Sequence, residues 1–424
     1  TPVNGNLAIT QYYRISVSTA SSTYILGGAQ DNGTHLRNTN SSAFASVIGS
    51  DGMDNAISIS TPSYMYGSTQ NGAFYRSTNT GGSFSFFLNT DTLRSTYGIT
   101  ASDFWVTPIA VSPTTANTIF AGYYPLIKGV FSSGNWSYTN IGFRPGLPVT
   151  DVSGRSFVKV APGNENIIYA GDNNYSFGEY NEAKMMFRTS DGGQNWTRLL
   201  PGGVDDLTFT DLAMNPDNPN EIWVTMGNFT AGEKVYRSSN GGTTWTNITG
   251  SLPNIPVNCI VYDDNNGSPD DALYIGTDIG VFYRDNTLGD WIPFSNGLPV
   301  IEVTDLEINE SAGFLRAGTY GRGVWQTSVY DGVCAANPVF TIHPPSEPGF
   351  FTASGTITSS ALISGAGAHI QYKSGQRTTL NPGFRIDATG GAKFISVIGP
   401  CPGGGIPPGY NRSSFNGLTG YLKE

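Results

Sequence analysis

Phe187-Arg-Thr-Ser-Asp-Gly-Gly-Gln-Asn-Trp196 decides the reading of the fold, because it returns as Tyr236-Arg-Ser-Ser-Asn-Gly-Gly-Thr-Thr-Trp245. A looser copy stands at Tyr75-Arg-Ser-Thr-Asn-Thr-Gly-Gly-Ser-Phe84, and eroded ones at 130–136 and 282–291. Each copy reads as a strand running into a tight turn. The glycines allow positive φ, and the Asp or Asn side chain accepts hydrogen bonds from turn N–H groups. The aromatic residue that follows returns in the next strand and packs between neighbouring units.

Working outward, a strand ending in a small-Gly step precedes each turn, as in Tyr64-Met-Tyr-Gly67, Ile168-Tyr-Ala-Gly171 and Leu273-Tyr-Ile-Gly276. Gly146-Leu-Pro148, Ser251-Leu-Pro253 and Gly297-Leu-Pro299 link the units, proline ending the outer strand. The period is roughly 45 residues, that of propeller blades. Inner strands are expected near residues 12–18, 55–60, 106–112, 156–161, 208–214, 257–262 and 302–308. The chain is therefore expected to be all-β: a seven-bladed β-propeller over residues 1–330, then a small β domain of short stacked strands. The last unit has three strands, and Asn4-Gly-Asn-Leu7 aligns with the linkers, so an N-terminal strand is expected to close the ring. An incomplete ring, the tail of a larger protein, is the alternative.

These motifs resemble the Asp-box, or bacterial neuraminidase, repeat of sialidases, oligoxyloglucan hydrolases and sortilin-type propellers. The resemblance implies a structural role for Asp191, Trp196, Asn240 and Trp245, and it covers enzymes and receptors alike.

Residues 331–351 read as a proline-bearing linker, 352–401 as the small domain and 402–424 as a Gly/Pro-rich tail. Ser374 to Phe384, then Gly390-Gly-Ala-Lys-Phe394 and Cys401, resemble the coat-hanger-stack β domain of type IX secreted Bacteroidetes proteins. That resemblance implies an extracellular or cell-surface location, with attachment through segments not in this chain. Asp91-Thr92-Leu93 resembles the O-glycosylation acceptor of that phylum, with a chance tripeptide as the alternative.

The composition supports this class. Glycine is abundant (54 of 424 residues), aromatics make up 12% and charged residues only 13%, as for short aromatic-packed strands. A net charge of −10 disfavours nucleic acid as a partner, and no apolar run reaches membrane-spanning length. Thr1 opens without a charged and apolar leader, as a mature form or a fragment would, and this does not argue for the cytoplasm. Cys334 and Cys401 bracket the small domain and invite a disulfide, although all three cysteines could be reduced. Cys259 sits in an apolar strand pattern and reads as a buried free thiol.

Candidate chemistry is sparse. His35, His343 and His369 lie in separate elements, which leaves no histidine-based site. Asp263, Asp264, Asp270 and Asp271 offer oxygen ligands in one loop, a candidate calcium site set against a solvated turn. Tyr13-Arg-Ile-Ser16 is a near match to the sialidase Phe/Tyr-Arg-Ile-Pro motif, with serine in place of proline. Asp51, Asp54, Asp103, Asp151, Asp206 and Asp305 are read as preceding inner strands, where carboxylates could face the channel mouth or serve turn hydrogen bonds. Three consecutive blades carry longer loops between their second and third strands. Tyr123, Tyr124, Asp172, Tyr175, Phe177, Glu179, Tyr180 and Phe229 there form the candidate ligand surface, rings interleaved with carboxylates, the alternative being that the rings pack on each other or on the domain that follows.

Three functions remain open at this stage. They are an extracellular propeller that binds a glycan or protein, a glycoside hydrolase with paired carboxylates, and a structural surface or filament component.

Overall fold

The computed structural model describes residues 9–19, 21, 23–38, 41–142, 155–172, 185–201, 208–264, 272–286, 288–295 and 298–330. Of the remaining chain it describes 339–340, 349–353, 356–360, 362–363, 369–374, 377–382, 384–386 and 393–398. The chain divides into two compact units, Thr1–Phe294 with Leu298–Asp331, and Ser295–Gly297 with Gly332–Glu424.

The first unit is a seven-bladed β-propeller. Its inner strands are Tyr12–Val17, Gly52–Ile57, Ile109–Val111, Arg155–Ala161, Phe209–Met214, Val257–Asp263 and Val303–Asn309. Each opens an antiparallel sheet, four-stranded in blades 1 to 6 and three-stranded in blade 7. All seven inner strands overlap the expected stretches, the one in blade 2 beginning at Gly52, three residues earlier than the repeat puts it. The only α-helix among the described residues is Thr90–Tyr97, between blades 2 and 3. Asn89 caps it, accepting from both the N–H and the hydroxyl of Thr92.

The core is distributed between blades. Tyr66 and Phe74 of blade 2 pack with Ile119, Tyr123 and Tyr138 of blade 3, and comparable clusters fill the other junctions. Tyr12, Ile15 and Ala29 with Val324 join blade 1 to blade 7. Trp223 is 1% exposed, and burying such a side chain contributes about 3 kcal/mol. The glycines ending the second strands let neighbouring backbones approach: a Cβ on Gly28 would sit 1.9 Å from the Met53 carbonyl oxygen. Only glycine leaves that space.

Ring closure uses the same stitch as an internal junction. Between blades 5 and 6, Thr210 donates to the Val257 carbonyl (2.6 Å) and Asp211 Oδ2 accepts from the Ile260 N–H (3.1 Å). Between blades 7 and 1, Thr304 donates to the Tyr12 carbonyl (2.7 Å) and Asp305 Oδ2 accepts from the Ile15 N–H (2.8 Å). The closing segment expected at Asn4–Leu7 lies outside the described residues. Thr10 does reach blade 7, its carbonyl accepting from Gly321 and Gly323.

The outer turns repeat one pattern three times. Ser77, Thr189 and Ser238 donate to Asn79, Asp191 and Asn240, and accept from the N–H of Gly81, Gly193 and Gly242. The Asn or Asp in turn accepts from the N–H of Ser83, Asn195 or Thr244. These bonds hold the Asp191 carboxyl down at about 2, first through the Asn195 N–H and side chain, then through Thr189. Trp196 donates to the Ile141 carbonyl of the preceding blade, and Trp245 packs against the blade 4 side of its junction.

The second unit stacks short strands in parallel. Val339–Phe340, Thr356–Ser359 and Arg377–Leu380 form one sheet, and Gly349–Ala353, His369–Ser374 and Lys393–Ile398 another. Leu362–Ile363 pairs with Arg385–Ile386 to give a third. The stack takes in a strand at 339–340, inside the segment expected to be a linker, and one at 349–353 that crosses its expected end at residue 351. The prolines there hid them, since they cluster between the strands rather than within them. Cys334, Cys401 and the tail lie outside the described residues.

Candidate functional site

Two faces of the propeller differ in construction. Strand-2-to-strand-3 loops bond to the linkers entering their own blades: Gln30 N–H to Gln11, Tyr124 N–H to Ser102, Gly227 N–H to Thr208 and Tyr320 N–H to Glu302. Those loops and linkers therefore share one face, the linker face. The outer turns bond to the loops after the inner strands, as Gly192 N–H does to Asn166 and Gly241 N–H to Asn220, on the opposite face.

On the linker face three aromatic rings stand in a row. Six of the seven inner strands carry a β-bulge near their start, and in blade 1 it lies between Tyr12 and Arg14. The bulge re-aims Tyr13, which is half-buried, while Tyr12 stays in the core. The Tyr13 and Tyr320 rings lie 6.4 Å apart at 58°, and Tyr320 donates to Gln30 Oε1 (2.6 Å). Trp105 is 52% exposed, and its Nε1 donates to the Tyr13 hydroxyl (3.4 Å). Its loop is pinned on both sides: Phe104 and Thr107 are buried, and Ser102 bridges to Tyr124. A blade 3 residue thus reaches blade 1. The linker-face loops also carry carboxylates. Asp51 accepts from the Asp31 N–H, Asp103 from the Thr90 hydroxyl, and Asp278 from Asn258. Burial and then Asp278 raise the Glu302 carboxyl.

Below this row runs the channel, a cavity of about 450 Å³ lined by all seven inner strands and reaching Ile59, Pro113 and Pro162. Its charged side chains serve the junctions between blades. Asp54 Oδ2 accepts from the Ile109 N–H (2.8 Å), joining blades 2 and 3, as Asp211 and Asp305 join theirs. Lys159 pairs with Asp211 (2.9 Å); burial opposes the lysine's charge, and Asp211, Asp305 and Glu307 together outweigh it. Burial pushes Asp305 up to about 7, and burial with Asp305 beside it drives Glu307 well above its usual range. Arg14 donates to the Thr304 carbonyl (2.7 Å) and sits among Asp305, Asp211 and Asp54. That setting is one of carboxylates rather than an arginine cluster for an acidic sugar. Cys259 is a buried free thiol, as its apolar strand implies, and burial raises it.

Several expected residues lie elsewhere. Tyr123 and Tyr124 are 0% and 5% exposed rather than displayed: Tyr123 donates to the Gly72 carbonyl and packs edge-on against Phe74, 5.6 Å away. They hold up the loop that carries Trp105. Asp172 is buried at 1% exposure, and Phe229 stands 68% exposed. Tyr175, Phe177, Glu179 and Tyr180 lie outside the described residues, as do Asp151 and Asp206. Asp51 and Asp103 belong to the linker-face loops, whereas Asp54 and Asp305 line the channel. Asp263 is buried and Asp264 exposed, Asp270 and Asp271 are outside the described residues, and no three metal-ligating side chains converge among those described. Sequence reasoning missed Trp105, Tyr320, Asp211 and Glu307. Thr210-Asp-Leu212 and Thr304-Asp-Leu306 are the same tripeptide at the same strand position, a signal that could have found Asp211.

No family model matches this chain, and no curated protein matches it. Solved structures do. The GH74 xyloglucanase from Xanthomonas campestris matches with a TM-score of 0.57 at 14% identity, over 77% of this chain and 53% of that one. An ancestral GH74 enzyme matches at 0.55 and 16% identity, over 78% and 46%. U3-55K matches at 0.50 and 9% identity, over 74% and 89%. The chain spans about half the length of the two GH74 structures. At these identities the likeness establishes the propeller fold.

Proposed function

We propose that the protein is an extracellular or cell-surface propeller that binds a glycan across its linker face. The observation carrying this reading is the exposed row Trp105–Tyr13–Tyr320, rings held by backbone anchors and flanked by carboxylates and amides. Sugar rings stack on such faces and give their hydroxyls to such acceptors. The xyloglucanase among the structural neighbours supports a glycan over a protein ligand. Repeats of Asp-box type would then be scaffold, and the stacked C-terminal unit a spacer toward the surface. Phe229, with Tyr175, Phe177, Glu179 and Tyr180, would extend the surface over blades 4 and 5.

Binding requires no catalysis, and the channel carboxylates Asp54, Asp211 and Asp305 already serve the blade junctions. One observation favours a glycoside hydrolase as second reading: burial raises the Glu307 carboxyl while Asp211 pairs with Lys159 (2.9 Å), two channel carboxyls in unlike settings. Titration calorimetry against a panel of oligosaccharides, with a reducing-end assay on the same mixtures, separates the two. Saturable binding without new reducing ends supports the binding propeller, and turnover lost in Glu307→Gln supports the hydrolase. A panel that neither binds nor is cleaved removes both. The Asp263–Asp271 loop is proposed as a calcium site on its oxygen donors alone. A melting temperature unmoved by chelator would remove it.

A further inference from the structure

The charge around the aromatic row selects among glycans, and this step rests on the glycan reading above. Asp31, Asp51, Asp103, Asp278 and Glu302 occupy the linker-face loops, set against one exposed arginine, Arg322, in the same described loops. The acidic groups are not spread evenly. Tyr320 gives its N–H to the Glu302 carbonyl and its hydroxyl to Gln30, the neighbour of Asp31, so both acidic residues stand beside the Tyr13–Tyr320 ring pair. One residue beyond Tyr13, Asn55 gives its Nδ2 to the Arg14 carbonyl (3.0 Å). Asn55 is 6% exposed and lines the channel, yet its Oδ1 has no donor among the described residues. A buried amide oxygen left this way calls for a donor supplied by a ligand or by water.

We propose that the linker face selects an amine-bearing saccharide, an oligomer of glucosamine type, its ammonium seated between Tyr13, Tyr320, Glu302 and Asp31. An ammonium over a tyrosine face gains from the ring quadrupole, and the flanking carboxylates add attraction that salt screens. Asn55 Oδ1 takes a further N–H or O–H from the same ligand. Saccharides carrying carboxylates or sulfates meet repulsion from the same groups, and neutral ones lack the ammonium contact.

The test compares three probes of equal length on the full chain: a glucosamine oligomer, a neutral gluco-oligosaccharide and an oligouronate, each at low and high salt. The glucosamine oligomer should bind at least about tenfold tighter than the neutral one at low salt, converging as salt rises. Glu302→Gln should weaken only the glucosamine oligomer, by about threefold to fivefold, and Asp31→Asn with it more. Equal affinity for the charged and neutral probes, with Trp105→Ala weakening both, overturns the charge selection and leaves the glycan reading standing. Preferred binding of the oligouronate also overturns it. Failure of all three probes to bind overturns both.

Discussion

The outer turns and the inner strands are built from the same repeat but treat it in opposite ways. Ser77 to Ser83, Thr189 to Asn195 and Ser238 to Thr244 reproduce one hydrogen-bond pattern with interchangeable residues. The first position after the inner-strand bulge, by contrast, holds Arg14, Asn55, Phe157, Asp211, Cys259 or Asp305. What repeats unchanged closes a turn. What varies from blade to blade at one geometric position sets the chemistry of the channel and, through Tyr13 beside it, of the linker face. Substitutions in the two regions should therefore separate stability from binding.

The largest loss of stability is expected at Asp211, where two functions coincide. Asp211→Ala strands Lys159 and leaves the Ile260 N–H without its acceptor, costing about 3 kcal/mol in denaturant unfolding. A loss below about 1 kcal/mol would mean that the stitch between blades 5 and 6 does not need its carboxylate.

Gly193→Ala comes next. Gly193 has φ +94, and a Cβ there would stand 2.5 Å from the Ile141 carbonyl oxygen. About 2 kcal/mol should be lost while saccharide affinity is kept. Asp191→Ala, in the same turn but only half-buried, should lower the melting temperature by less. If either change weakens binding at constant stability, the outer turns are not scaffold alone.

The channel should also make stability depend on pH. Burial raises Asp305 to about 7 and lifts Glu307 well above its usual range, so as pH falls both take up protons in the folded state before they do in the unfolded chain. Their folded pKa values are raised, so the penalty of charging them is present above about pH 7 and is relieved as pH falls through it. Melting temperature should rise from about pH 8 to about pH 6, and Glu307→Gln should flatten that rise. A melting temperature that falls over this interval in the parent protein would contradict the burial of these carboxyls.

Much of this contrast was readable beforehand, and the part that was not has a physical cause. Turn chemistry and strand alternation are local, so Asp191, Asn240 and all seven inner strands could be placed from sequence. Exposure is not local. Tyr123 and Tyr124 sit in a long loop and look displayed, yet they fold under and brace residues 102–107. Trp105 looks like a core residue and is lifted out because Phe104 and Thr107 take the buried positions on either side. Tyr320 is fixed by its N–H bond to Glu302 in the linker, a contact between segments that no periodicity reports. Strands 339–340 and 349–353 escaped for a related reason, since parallel stacking depends on partners a full turn away in the chain.

Trp105→Ala should have the smallest effect on stability, within about 0.5 kcal/mol, because the ring is 52% exposed. Hydrogen exchange with and without the tightest-binding saccharide then tests most directly where the ligand sits. Protection is expected at 102–107, 12–16 and 319–322, and it should disappear in Trp105→Ala. Protection confined to the loops at 173–184 and 227–234, or to the outer turns, would contradict a site built on Trp105, Tyr13 and Tyr320.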